Sequence, residues 1–184
     1  LVELVEDRRF VSVVGASGSG KSSAVLAGLV PVLRSRGATV ATMIPGDAPV
    51  DALRAALGEV ATVADHIDGD VTAAALADIA RRAGRLVVVV DQFEECWTTE
   101  PPLRRESFLD VAATAVADES VDVRFVTTVR ADLLDRPLDP HLPLQRIPGH
   151  QQRRAGRLLE LVPLVRAEVG VDHPPLGQRW GVGL

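Results

Sequence analysis

The amino-acid sequence predicts an α/β protein built on a mostly parallel sheet. Short apolar or β-branched runs alternate with amphipathic helical segments over residues 1–136. This alternation is typical of parallel strands joined by right-handed helical crossovers. The run Leu86–Val90 holds five consecutive apolar residues, four of them valine, which is the pattern of a central strand covered on both faces. A Gly/Ser-rich turn also joins the first strand directly to a helix, as parallel α/β sheets require.

Hydrophobic periodicity sets the first elements in order. They are a helix end over residues 1–9, a strand over 10–14, a helix over 21–34, a strand over 38–44 and a helix over 50–57. Pro31 should kink the second helix because it lacks a backbone N–H. The turn Pro45-Gly46-Asp47 ends the second strand and offers an N-cap to the helix that follows.

The next elements complete the predicted core. Residues 59–69 fit no single element. After them comes a helix that is capped by Asp70, runs to Arg82 and stops at Gly84. It is followed by the strand Leu86–Val90, a helix over 103–117 and a strand over 121–129.

Beyond Arg136 the pattern weakens. Prolines punctuate a loop with one candidate strand at 142–147, and a helical pattern at 151–169 carries Pro163 in its middle. An irregular tail follows from Asp172. We therefore divide the chain into a core over 1–136 and a poorly defined C-terminal segment over 137–184, and we expect an incomplete domain.

The composition is that of an ordinary globular domain. Of 184 residues, 47% are hydrophobic and 24% charged, and the length fits one domain. A net charge of −5 argues against broad nucleic-acid binding. A single cysteine, no bilayer-spanning apolar stretch and no signal-peptide pattern predict a cytoplasmic protein with no membrane partner. Because the sequence begins without methionine, we interpret it as a piece of a longer protein.

Lysine is almost excluded from this sequence. Of its 20 basic residues 19 are arginine, and the one lysine is Lys21. A position that keeps lysine against this bias needs a compact ammonium on a flexible stem, which arginine cannot imitate.

That lysine lies in a glycine-rich phosphate-loop motif. Gly15, Gly20, Lys21 and Ser22 satisfy the spacing G-x-x-x-x-G-K-[ST] between a strand and a helix. The glycines allow backbone N–H groups to turn toward an anion, and the helix that follows directs its positive end at the same place. Lys21 is expected to reach the β- and γ-phosphates of a nucleotide, and the Ser22 hydroxyl to ligate Mg²⁺. The predicted nucleotide-binding residues are Gly15, Ala16, Ser17, Gly18, Ser19, Gly20, Lys21, Ser22 and Ser23.

Acidic residues follow the third predicted strand. Asp91 stands at its carboxyl end, where ligands of open α/β sheets collect, and a carboxylate there can hold Mg²⁺. Glu94 and Glu95 are both candidates for the base that orients an attacking water. The sequence leaves the choice between them open.

Arg130 directly follows the fourth predicted strand. A guanidinium at this edge can sense the γ-phosphate, where negative charge develops during hydrolysis. We therefore predict Arg130 as a catalytic residue. The four histidines show no metal-ligand spacing, so Ser22 and Asp91 are the only metal ligands that the sequence predicts.

Three motifs together resemble a known family, the STAND class of P-loop NTPases, and within it the novel STAND subclass, a relative of the NACHT and AAA-like ATPases. The motifs are Gly15–Ser23, the strand that leads into Asp91-Gln92-Phe93-Glu94-Glu95, and Thr127-Thr128-Val129-Arg130-Ala131-Asp132. Arg9-Phe10 and Ala27-Gly28-Leu29-Val30-Pro31 are similar to that subclass as well. The resemblance covers about residues 1–136.

The resemblance implies a three-layer α/β sandwich with the P-loop NTPase fold and an ATP-dependent signalling switch. It implies other domains on a longer parent chain and self-association on activation. It also implies that Arg130 senses the γ-phosphate and that Glu94 and Glu95 occupy the acidic positions of NACHT proteins. The upstream segment that helps form the base pocket, and a downstream regulatory region, have no counterpart here.

Two functions remain open at this point. The first is a signalling switch that binds and hydrolyses ATP with Mg²⁺. The second is a nucleotide-binding scaffold that hydrolyses ATP little or not at all. Gln92, which stands where many related ATPases have a catalytic glutamate, keeps the second alternative open.

Overall fold

A computed structural model of the chain describes residues 1–60, 71–98 and 102–133. The predicted strand at 142–147, the predicted helix at 151–169 and the predicted tail lie outside these residues, as does most of the stretch 59–69.

Four strands and a series of helices make up the described residues. The strands are β1 (Phe10–Gly15), β2 (Thr39–Met43), β3 (Leu86–Val90) and β4 (Val123–Arg130). The helices are α1 (Val2–Asp7), α2 (Lys21–Ser23), a π segment (Ala24–Leu29), α3 (Val30–Ser35), α4 (Pro49–Val60), α5 (Ala73–Ala83), α6 (Glu95–Thr98), α7 (Pro102–Ala117) and a 3-10 turn (Ala131–Leu133). No described helix is both long and apolar enough to cross a membrane.

The four strands form one parallel sheet in the order β1-β4-β3-β2. The α/β class and the parallel sheet are thus confirmed. The last strand in sequence, β4, lies between β1 and β3, and the register pairs Gly15 with Arg130 and Val90 with Thr127. Because all strands run in one direction, the loops after β1, β3 and β4 meet at one edge of the sheet.

Helices cover both faces of the sheet, which confirms the three-layer sandwich. One apolar cluster joins strand residues such as Phe125 to Leu53 of α4, Leu76 of α5 and Phe108 of α7. The second joins the alternate strand residues to Val5, Val25, Leu29 and Leu33 of the first helices. All five residues of β3 are buried, as the continuous apolar run predicts for a strand between two helical layers.

The helix after the phosphate loop changes type before Pro31. The π segment Ala24–Leu29 separates α2 from α3, and Pro31 lies in the first turn of α3. Because proline has no N–H to donate to the carbonyl four residues earlier, the α-helical ladder cannot continue through it. The disturbance predicted at Pro31 therefore takes the form of a π segment.

The start of α5 differs from the prediction. Thr72, in an extended conformation, caps the helix by accepting a hydrogen bond on its hydroxyl from Ala75 N at 3.3 Å. The predicted cap at Asp70 is wrong, because the threonine hydroxyl already reaches the N–H group that a cap satisfies. The predicted stop at Gly84 is confirmed, with φ at 81°.

An arginine network attaches α1 to the opposite edge of the sheet. Asp122 pairs with Arg85 and Arg124 at 2.6 Å each, and Arg124 also donates to the carbonyl oxygens of Val5 and Glu6. Burial alone would raise the pKa of the Asp122 carboxyl, but the hydrogen bonds and charges of the two arginines outweigh it and leave that pKa below its usual value. The network fixes the chain segment that leads into β1.

Candidate functional site

The phosphate loop turns back on itself between β1 and α2. Gly18 and Gly20 have φ angles of 74° and 82°, in the left-handed region that side chains disfavour. A Cβ atom on Gly15 would lie 2.8 Å from the hydroxyl oxygen of Ser19, which is closer than packed atoms approach. The glycines of the motif therefore serve both the turn and a close internal contact.

Two polar groups of the loop indicate a polar ligand. Lys21 is 8% exposed, and its ammonium donates to the carbonyl oxygens of Gly15 at 2.8 Å and Ala16 at 2.7 Å. Among the described residues, the buried hydroxyl of Ser19 has no hydrogen-bond partner. Buried polar groups are nearly always paired, and a phosphate oxygen would supply the acceptor. The loop thus fits the phosphates of a nucleotide.

The two predicted magnesium ligands lie in contact. The Ser22 hydroxyl donates to Asp91 Oδ1 at 2.7 Å, across 69 positions of sequence. Asp91 follows β3 and is 5% exposed. It continues the alternation of Val87 and Val89, which belong to the cluster beneath the first helices, so its side chain meets the start of α2. A hydroxyl and a carboxylate are the oxygen ligands that Mg²⁺ prefers.

Thr128 is a site residue to which sequence reasoning assigned no role. Its hydroxyl donates to Asp91 Oδ1 at 2.5 Å and accepts a hydrogen bond from Gln92 N at 2.9 Å. Its carbonyl oxygen accepts from Phe93 N at 2.9 Å. The available signal was a pair of threonines near the end of an otherwise apolar strand, but the partner 37 positions away is visible only in the folded sheet.

Residues 91–94 form a tight turn, which we name the acidic turn. Gln92 has a φ of 56°, the only positive value among the described non-glycine residues. Such a conformation costs an ordinary side chain about 1–2 kcal/mol. The Gln92 side chain is exposed, whereas Asp91 and Glu94 on either side of the turn are buried. The turn thus directs the two acids into the protein.

The structure separates the two glutamates that the sequence left equivalent. Glu94 is 8% exposed, and its Oε2 accepts from Arg130 N at the end of β4 at 3.4 Å. Glu95 Oε2 accepts from Gly46 N, in the turn after β2, at 3.1 Å. Because the strand order is β1-β4-β3-β2, Glu94 lies on the side of the phosphate loop and Glu95 on the opposite side.

Arg130 lies at the edge of the sheet where the phosphate loop begins, but its side chain pairs with Asp132. Its register partner is Gly15, where the phosphate loop begins. The guanidinium donates to Asp132 from Nε at 3.3 Å and from Nη2 at 2.8 Å, and the two side chains are 44% and 55% exposed. The hydrogen bond and charge of Asp132 raise the pKa of Arg130 further above its ordinary value. Arg130 would have to leave Asp132 to touch a nucleotide.

Two cavities lie at the other edge of the sheet. Their volumes are about 400 and 550 Å³, and Arg9 and Glu119 line both. The guanidinium of Arg9 is used inside the protein, since it donates to the carbonyl oxygens of Asp118 and Val121 at 2.9 and 2.7 Å. We assign these cavities no ligand.

A family model matches most of the chain. The family model of novel STAND NTPase 1 matches residues 1–166, so it extends past residue 136, where the resemblance in the sequence stops. No curated protein matches the chain.

A solved structure, a Walker-type ATPase of Pyrococcus abyssi, is similar to the chain at 16% identity with a TM-score of 0.50. The alignment covers 90% of this chain and 57% of that one, and at this identity it shows the fold alone. It agrees with the predicted P-loop NTPase fold. With the family match over residues 1–166, the chain belongs to the novel STAND NTPase 1 family and is an NTPase-like nucleotide-binding domain.

Proposed function

We propose that the chain binds ATP with Mg²⁺ on the phosphate loop and hydrolyses it, as the switch core of a signalling protein. The observation that carries this proposal is the contact between Ser22 and Asp91 at 2.7 Å. It joins the hydroxyl of a complete phosphate-loop motif to the carboxylate at the end of β3. Two chance motifs would have no reason to meet in this way.

The binding roles follow from the chemistry of each group. The backbone of residues 15–23 cradles the phosphates, and the Lys21 ammonium exchanges its carbonyl partners for β- and γ-phosphate oxygens. Ser22 and Asp91 supply the oxygens for Mg²⁺. The metal, when bound, offsets the charge of the phosphates.

Glu94 is our candidate for the general base. It is buried, and its carboxylate lies at the end of β4, the strand next to the phosphate loop. A carboxylate there can orient a water molecule and accept its proton on Oε1 or Oε2. Arg130, once released from Asp132, would neutralise charge on the terminal phosphate. Glu95 is the weaker candidate because its carboxylate contacts the turn after β2.

One observation favours a second function, a scaffold that binds ATP without turning it over. Arg130 is held by two hydrogen bonds to Asp132 and is 44% exposed. If this pair persists when ATP binds, the terminal phosphate lacks its arginine and hydrolysis is slow. Under both functions, we propose that other domains and self-association act on this core in the cytoplasm.

Calorimetric titration of ATP–Mg²⁺ on wild type, Lys21→Ala and Lys21→Arg tests the binding proposal. Hydrogen bonds to charged groups contribute about 1.5–3 kcal/mol, so Lys21→Ala should weaken ATP binding at least about tenfold. Lys21→Arg controls for charge, and it should not restore affinity because the guanidinium fork does not fit the space of an ammonium. Equal affinities of wild type and Lys21→Ala would contradict the proposed site. Measured turnover of bound ATP then separates the enzyme from the scaffold.

A further inference from the structure

The hydroxyl of Thr128 has a fixed direction in this structure. Thr128 is 2% exposed, and its Oγ1 lies 2.9 Å from Gln92 N and 2.5 Å from Asp91 Oδ1. The amide of Gln92 can only donate, so it occupies a lone pair of the hydroxyl. The single hydroxyl proton is left for the carboxylate of Asp91. Thr128 therefore connects a main-chain donor to the acid beside it.

Asp91 Oδ1 accepts hydrogen bonds from two hydroxyl groups, and we expect only one of these bonds to persist when a metal binds. Ser22 belongs to the phosphate loop. Because we propose it as a magnesium ligand, its hydroxyl oxygen would coordinate the metal when the metal is bound. Thr128 belongs to β4, which is hydrogen-bonded to strands on both sides, so its hydroxyl stays where it is. The Thr128 bond can thus hold the carboxylate in the same orientation before and after a metal binds.

The backbone of the acidic turn depends on the same residue. Gln92 adopts a positive φ, which costs free energy, and the hydrogen bonds from Gln92 N and Phe93 N to Thr128 help to offset that cost. Without these hydrogen bonds, the conformation of the turn that buries Asp91 and Glu94 is less stable.

We propose that Thr128 is a positioning residue that seats the acidic turn and orients Asp91 for the magnesium of the bound nucleotide. This role rests on the function proposed above. It predicts that loss of the Thr128 hydroxyl changes the requirement for magnesium more than it changes the binding of ATP alone.

Thr127 provides a matched control. It is the neighbouring residue, is fully buried, and lies on the face of the sheet opposite to Thr128. Its hydroxyl forms one hydrogen bond of 2.8 Å, with Ser12 of β1. Thr127→Val removes a buried hydroxyl from the same strand by the same change, without touching the acidic turn. An effect of general destabilisation would appear in both variants, whereas an effect of positioning would appear in Thr128→Val alone.

The experiment titrates ATP into wild type, Thr128→Val, Thr128→Ser and Thr127→Val, with Mg²⁺ varied and with Mg²⁺ removed by a chelator. We expect Thr128→Val to raise the magnesium concentration for half-maximal ATP binding by about tenfold or more, as loss of a hydrogen bond to a charged group implies. Thr128→Ser should restore the wild-type value, and Thr127→Val should keep it. An unchanged magnesium requirement in Thr128→Val, or equal changes in Thr128→Val and Thr127→Val, would overturn the proposed role of Thr128 but not the proposed function. A wild type that binds no ATP would overturn the proposed function as well.

Hydrogen exchange of the wild-type chain tests the same role without any variant. The amide of Gln92 lies in a turn and its side chain is exposed, yet its hydrogen bond to Thr128 Oγ1 predicts protection similar to that of the sheet. Exchange at the rate of an unstructured amide would overturn the proposal, even if Thr128→Val does not fold.

Discussion

Replacing Glu94 and Glu95 separately by glutamine tests the assignment of the base. Glutamine keeps the size of the side chain and one carbonyl acceptor, so Glu94→Gln can still accept from Arg130 N and Glu95→Gln from Gly46 N. Only Glu94→Gln removes a carboxylate on the side of the phosphate loop. Loss of a general base lowers the rate about 10²–10⁴-fold, with little effect on ATP affinity because the base acts in the transition state.

Glu95→Gln should have a small effect of a different kind. Its bond to Gly46 N loses the assistance of charge, which costs about 0.5–1.5 kcal/mol of stability, and hydrolysis should fall less than about tenfold. Single-turnover hydrolysis, ATP titration and urea unfolding of both variants measure these quantities. A Glu94→Gln variant as active as wild type would refute our reasoning from strand order, and an inactive Glu95→Gln would reverse the assignment. A wild type with no turnover would support the scaffold function.

Three further substitutions test other contacts of the structure. Asp91→Asn should weaken magnesium-dependent ATP binding about tenfold or more, because an amide is a poorer ligand for Mg²⁺, and titration with and without Mg²⁺ measures this. Asp122→Asn should lower the free energy of unfolding by about 1–2 kcal/mol at neutral pH, since it removes a partly exposed partner of Arg85 and Arg124. The pKa of Asp122 is lowered in the folded state, so its contribution to stability is present above about pH 4 and is lost as the pH falls through that lowered pKa. Urea unfolding at neutral and at acid pH should show that the difference in unfolding free energy between wild type and Asp122→Asn shrinks in acid. Gln92→Gly should be neutral or stabilising by up to about 1 kcal/mol because glycine accepts the positive φ, and a lower melting temperature would contradict this.

Most of the fold could be predicted because its signals are local. The continuous apolar run of β3 and the strand–loop–helix context of residues 10–21 are written in neighbouring residues, and the alternation of strands and helices implies parallel pairing. The strand order was not predicted, since nothing near β4 in the sequence records that it lies between β1 and β3. The cap of α5 was misplaced because Asp70 and Thr72 are both residues that cap helices, and only geometry decides between them.

The site was predicted as a set of residues rather than as a set of contacts. Motif spacing named Lys21, Ser22 and Asp91, and their roles remain predictions. It could not show that Thr128 joins Asp91 across 37 positions, because that contact depends on which strands are neighbours. The choice between Glu94 and Glu95 depends on the same strand order.

The central place of β4 has a consequence for biosynthesis. The strand that carries the phosphate loop leaves the ribosome well before β4, yet β4, 115 positions later in the sequence, is its hydrogen-bonded neighbour among the described strands. Until residues 123–130 emerge, β1 has none of the other described strands beside it, and the acidic turn lacks its support from Thr128. Nascent chains that end before β4 should therefore be unable to bind nucleotide, however complete their phosphate loop. Contacts this distant in sequence also slow folding. If the chain binds ATP as proposed, ATP would bind only to molecules whose synthesis has passed β4.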